Sequence, residues 1–179
     1  MRLKILPGSA LMLAALASAA PIRTAAAAPQ KKEYLSEAEA DKIREAGATG
    51  PRIALFAGFA TDRIKKLQYE FGHFDTTDDK RTERLNSILN GYTGCIDDAA
   101  DLIDIGIEKQ QDMRLGLKAL QASIKESLTY LQGLAASGQE RETYKENLED
   151  AIEATQDAAK DVEKAMKEMS APPERRKPS

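Results

Sequence analysis

Three groups of side chains in this sequence have the type and spacing to do chemistry. Asp97, Asp98 and Asp101 form an Asp-Asp-x-x-Asp run, and Asp104 extends it. On a helix Asp97, Asp101 and Asp104 share one surface, because residues three and four apart are neighbours. Clustered carboxylates of this kind attract hard cations such as Mg²⁺ or Ca²⁺. Glu70 and His73 form a Glu-x-x-His step, the spacing with which di-iron bundles place two metal ligands on one helix face. Cys95 and His73 supply a thiol and a base, the minimum for a nucleophilic pair.

Each of these readings meets an obstacle in the same sequence. A di-iron site needs a second Glu-x-x-His, and the chain has one histidine. The same shortage removes bis-histidine and Cys-x-x-Cys-His haem. His73 at a helix end has a simpler use as a partner for the terminal carbonyls. A triad would have to be built on His73 without a nucleophile elbow, and Cys95 reads as a small, partly buried helix residue. The aspartate run resembles the magnesium-binding motif of isoprenoid synthases. The similarity covers five positions, whereas those enzymes are much longer and require a second metal motif that this sequence lacks. The acidic surface also lies about a third of a turn from Ile96 and Ile103, where an amphipathic helix carries solvated charge. We therefore expect no catalytic residue, cofactor or metal, with Asp97, Asp98, Asp101 and Asp104 as a weak candidate acidic cluster.

The elements that position these residues read as helices. Ser36 and Glu39 have capping-box spacing, and a short helix should run from there to about Ala46. Gly47 and Gly50 flank a turn, and Pro51 suits a first helical position. Ile53, Phe56, Ala60, Ile64, Leu67 and Phe71 then recur at steps of three and four, with Asp62, Arg63, Lys65, Lys66 and Glu70 on the other face. The polar cluster from Asp75 to Asp79 supplies a turn and an N-cap. A third stripe runs through Leu85, Ile88, Leu89, Tyr92, Ile96, Ala99, Ile103 and Ile107, with Gly91, Gly94 and Gly106 marking a kink or close contact.

Asp112 can cap a fourth helix carrying Met113, Leu117, Leu120, Ile124, Leu128 and Leu131, which Ser137 and Gly138 end. A fifth carries Leu148, Ile152, Thr155, Ala159, Val162, Met166 and Met169, the 3.5-residue repeat of a supercoiled seam. No stretch alternates as a strand does. The expected fold is all-α: an antiparallel up-down helical bundle of about four long helices with a short N-terminal capping helix.

Composition bounds what such a bundle does. The 179 residues are 42% hydrophobic, 31% charged and 5% aromatic, with a net charge of −3. Arg2 and Lys4 precede a short apolar stretch through Leu16, and Ala25 and Ala27 meet the small-x-small rule for signal cleavage before Ala28. The expected organisation is a signal peptide over 1–27, a linker over 28–35, the bundle over 36–169 and a disordered Pro/Arg/Lys tail over 170–179. Cleavage removes Arg2, Lys4 and Arg23 and no acid, taking the net charge from −3 to −6. An acidic chain is repelled by phosphate backbones and anionic headgroups, which argues against nucleic acid and membrane-surface partners. No segment after the signal is apolar enough to span a bilayer.

The stretch from Tyr34 through the fifth helix resembles a set of uncharacterised exported helical proteins of bacteria. The resemblance rests on the run from Tyr34 to Glu39, Asp41 to Arg44, Arg52-Ile53, Phe59 to Arg63, Gly116 to Lys118, Tyr144 and Asp150 to Ile152. It implies no activity, cofactor or binding residue. The expectation is a periplasmic or secreted, non-enzymatic bundle that binds or scaffolds an envelope protein. Its alternative is a chaperone or carrier that exposes the Leu and Met stripes to an unfolded client or lipid. The heptad seam of the fifth helix could also close a homodimer.

Overall fold

The structure, a computed structural model, describes residues 34–73, 75 and 77–170. The signal segment, most of the linker and the tail from residue 171 lie outside the described residues. The described elements are α1 (Glu37–Glu45), α2 (Thr49–Gly72), α3 (Arg81–Glu108), α4 (Arg114–Ser137), a single 3₁₀ turn (Arg141–Thr143) and α5 (Lys145–Ser170), with no strand among the described residues. The fold is an all-α helical bundle.

α1 begins with the expected capping box. Ser36 Oγ accepts from the Glu39 amide at 3.3 Å, and the Ser36 amide donates to Glu39 Oε2 at 2.9 Å. Gly47, at φ +63°, turns the chain in the left-handed region that side chains disfavour. α2 then starts at Thr49, so Pro51 is its third residue and not its first. The shift is cheap, because amides in the first turn lack intrahelical acceptors and proline forfeits nothing there. Gly50 enters the helix for a packing reason: a Cβ there would lie 3.0 Å from the Asp112 carbonyl oxygen and 3.3 Å from Met113 Cα. Asp112, expected as the cap of α4, sits one residue further out. Its carboxylate takes the Arg114 amide at 3.1 Å while Met113 occupies the cap position.

The helix directions alternate along the chain, but the bundle is not a simple ring. α2 packs against α3 and α4, and α5 packs against α3 and α4. Gly50 meets Gly116, and Ser123 Oγ donates to the Ala57 carbonyl at 3.1 Å, so α2 and α4 run parallel. Tyr92 and Thr155 share a hydroxyl hydrogen bond of 2.7 Å, and Asn147 Nδ2 donates to Asn86 Oδ1 at 2.6 Å, so α3 and α5 also run parallel. Two antiparallel hairpins thus lie side by side, and residues 109–113 cross the bundle end on a diagonal.

The core follows the predicted stripes closely. Ile53, Leu67, Leu85, Leu89, Ile96, Leu117, Leu120 and Leu131 are fully buried, each contributing about 1.5–3 kcal/mol of transfer free energy. Two expectations change. Leu148, Thr155 and Val162 lie inside as expected, but Ala151, Ala158 and Ala165 share the seam, leaving Ile152, Ala159, Met166 and Met169 half-buried at its edge. Small residues let α5 approach its neighbours closely, and the larger side chains fill the flanks. Helix α3 is continuous through its glycines. Gly94 admits the Tyr34 ring, and Gly106 admits the Met113 side chain.

Candidate functional site

The acidic run does not converge. Asp97, Asp101 and Asp104 are exposed on α3, while Asp98 is 8% exposed and accepts a hydrogen bond from the Tyr34 hydroxyl. A helical step of about 100° separates Asp98 from Asp97, enough to move one carboxylate from water to the packed face. Asp98 therefore does not join the candidate acidic cluster with Asp97, Asp101 and Asp104: it is a buried acceptor beneath Tyr34. Although Asp97 is exposed as a residue, partial desolvation of its carboxyl pushes it above the usual range, and the Asp101 charge adds to it. Among the described residues no group of three or more His, Cys, Asp or Glu is placed to hold a metal ion.

The Glu70 and His73 pair is also divided. Glu70 faces α3, where Arg84 donates to it at 3.1 and 3.3 Å, and its carbonyl takes Arg81 Nη1 at 2.6 Å. His73 caps α2, with Nδ1 2.9 Å from the Tyr69 carbonyl and its ring stacked 3.9 Å from the Tyr69 ring. Cys95 is fully buried in the core of α3.

The structure instead assembles a cluster around Arg63, which the sequence reading had placed on the solvated face. Arg63 is 7% exposed. Its Nη2 donates to Glu39 Oε2 and to the Tyr34 carbonyl, both at 2.9 Å, and Nη1 donates to Glu39 Oε1 and, at 3.3 Å, to the Phe59 carbonyl. The guanidinium lies 5.8 Å from the Phe59 ring centroid. Bidentate, charge-assisted pairing is what makes a buried guanidinium tolerable. The Arg63 hydrogen bonds hold the Glu39 carboxyl down at about 2, and Glu39 in turn raises Arg63 above its usual value. Leu35, expected in a linker, is buried, and Tyr34 lies against Gly91 and Gly94. One signal for Arg63 was present: it continues the three-and-four spacing of Phe56 and Phe59.

Beside this cluster a cleft of about 740 Å³ opens between α2 and α3, lined by Tyr34, Arg63, Lys66, Glu83, Asn86, Ser87, Ile88, Asn90 and Gly91. A recess of about 310 Å³ extends it past Lys66, Ser87 and Ile88 to Tyr69, a residue that is 61% exposed. The lining offers amide, hydroxyl, ammonium and carboxylate groups on rigid helices, a surface suited to recognition by hydrogen bonds. No helix among the described residues is long and apolar enough to cross a membrane. No protein-family model, curated protein or solved structure matches this chain.

Proposed function

We propose that this chain is an exported, non-enzymatic helical bundle that binds or scaffolds another protein of the bacterial cell envelope. The observation that supports this best is how its reactive side chains are used. Glu39 with Arg63, Asp98 with Tyr34, Glu70 and Asp78 with Arg84, and Asp112 with Arg114 are all engaged in structural pairs. The open α2–α3 cleft displays hydrogen-bonding groups on a fixed frame. Export draws its support from the charged start, short apolar core and small-residue exit of residues 1–27. The carrier alternative is less well supported, because Leu117, Leu120, Ile124 and Leu131 lie inside the bundle.

The test places a photo-crosslinking residue at Asn90, in the cleft, and a control at Asp157, an exposed position on α5, in cells that make the protein. A stoichiometric envelope partner caught at 90 and not at 157 is the expected result. Equal labelling of many proteins at both positions would overturn the scaffold reading in favour of a chaperone. Fractionation that left the uncleaved chain in the cytoplasm would overturn export.

A further inference from the structure

The segment that closes the Arg63 cluster has the properties of a tethered ligand. α1 has no buried residue and is joined to α2 through the left-handed Gly47. What holds the segment is the Tyr34 ring against Gly94, the Tyr34 hydroxyl on Asp98, buried Leu35, and Glu39 on Arg63. The receiving surface is shaped for it: a Cβ on Gly94 would lie 2.7 Å from the ring, and Arg63 directs most of its bonds outward from its own helix.

We propose that this surface is a peptide-binding site for a Tyr-x-x-x-x-Glu segment, filled here by residues 34–39 of the same chain and able to take that segment from a second copy. A second copy fits because it carries the complementary ring and carboxylate at the same spacing. Only residues 46–48 separate α1 from α2. If that turn became helical, α1 and α2 would join, carrying Tyr34 and Glu39 off their own cleft while leaving them displayed to another. Two such chains satisfy each other reciprocally, a self-complementary exchange.

The experiment uses the full chain and a fluorescent peptide of residues 34–46. In the unaltered chain a short tether gives the resident segment an effective concentration of about millimolar, so the added peptide competes poorly. Tyr34→Ala and Glu39→Gln each weaken the resident segment while leaving every fully buried side chain of α2 to α5 in place. Gly94→Leu fills the ring seat with a good helix former. We expect the peptide to bind both weakened variants at least about tenfold more tightly than the unaltered chain, and Gly94→Leu not at all. Gly47→Ala should become dimeric by light scattering over about 1–100 μM, and adding Gly94→Leu should return it to monomer. Absence of saturable binding to weakened variants that keep their helical circular dichroism overturns the site. Equal binding to Gly94→Leu overturns it too, and a monomeric Gly47→Ala chain overturns exchange between copies.

Discussion

Glu39→Gln isolates the ion pair that docks the N-terminal segment. Glutamine keeps the capping box of α1, since Gln serves at that position as Glu does, so the change removes charge and not the helix start. The Glu39 side chain is 19% exposed, and its carboxyl is held from the usual 4.5 down to about 2, chiefly by hydrogen bonds from Arg63. At 1.36 kcal/mol per pH unit, this sets an upper bound of about 3 kcal/mol on the docking free energy at neutral pH, because the Ser36 hydrogen bonds that also lower the carboxyl lie within α1 itself and survive undocking. Because the folded value is the lower one, the contribution is complete above about pH 4.5 and is lost as pH falls from there toward about 2. The segment can detach before the bundle melts, so the direct assay is native-state hydrogen exchange of the α1 amides. At pH 7, Glu39→Gln should lower their protection by about 10-fold or more, up to about 100-fold. In the unaltered chain, protection should fall steeply between about pH 4.5 and pH 2.5, and in the variant that component should be missing. Protection within about twofold of the unaltered chain at pH 7, or the same acid response in both, would refute the argument.

Other positions give independent checks. Gly116→Ala drives a Cβ into the Gly50 carbonyl and to 3.0 Å from Ile53 Cβ, and should cost about 1–3 kcal/mol in urea unfolding. Gly133→Ala, with nothing within 4 Å of the new atom, should gain about 0.5–1 kcal/mol in the same assay. Tyr92→Phe removes the hydroxyl shared with Thr155, which keeps its 2.5 Å bond to the Ala151 carbonyl; the expected loss is about 1 kcal/mol, read as a lower urea midpoint. Asp98→Asn should loosen Tyr34, seen as greater tyrosine accessibility, while millimolar Mg²⁺ or Ca²⁺ leaves the melting temperature of parent and variant unchanged.

What was legible in the sequence was whatever a single helix determines by itself. The Ser36 and Glu39 capping box, the Gly138 stop and the large apolar residues of α2, α3 and α4 are set by local spacing and by hydrophobicity. Decisions made between helices were less readable. In α5, two rows share Leu148, Thr155 and Val162 at heptad spacing; apolar size favours the row with Ile152 and Met166, and close approach selects the row with Ala151, Ala158 and Ala165. Arg63 and Asp98 are charged, and transfer energies place such residues outside unless a partner is known. Their partners, Glu39 and Tyr34, lie 24 and 64 residues away, beyond the reach of any periodicity. The diagonal between α3 and α4 was likewise hidden, since a short connection is compatible with adjacent or opposite corners of a four-helix square.

That diagonal has a kinetic meaning. Each hairpin closes through a short connection, whereas the bonds joining the hairpins span 57 to 66 residues of chain. Local hairpins should therefore assemble early, with their docking along Gly50, Gly116, Ser123 and Thr155 as the slow, late event. Substitutions in that seam should mainly accelerate unfolding in stopped-flow experiments, while substitutions within a hairpin slow refolding. During synthesis, α2 and α3 must then wait with their small-residue faces uncovered until α4 and α5 have emerged, an interval in which a half-made chain is open to chaperones, proteases and other nascent copies.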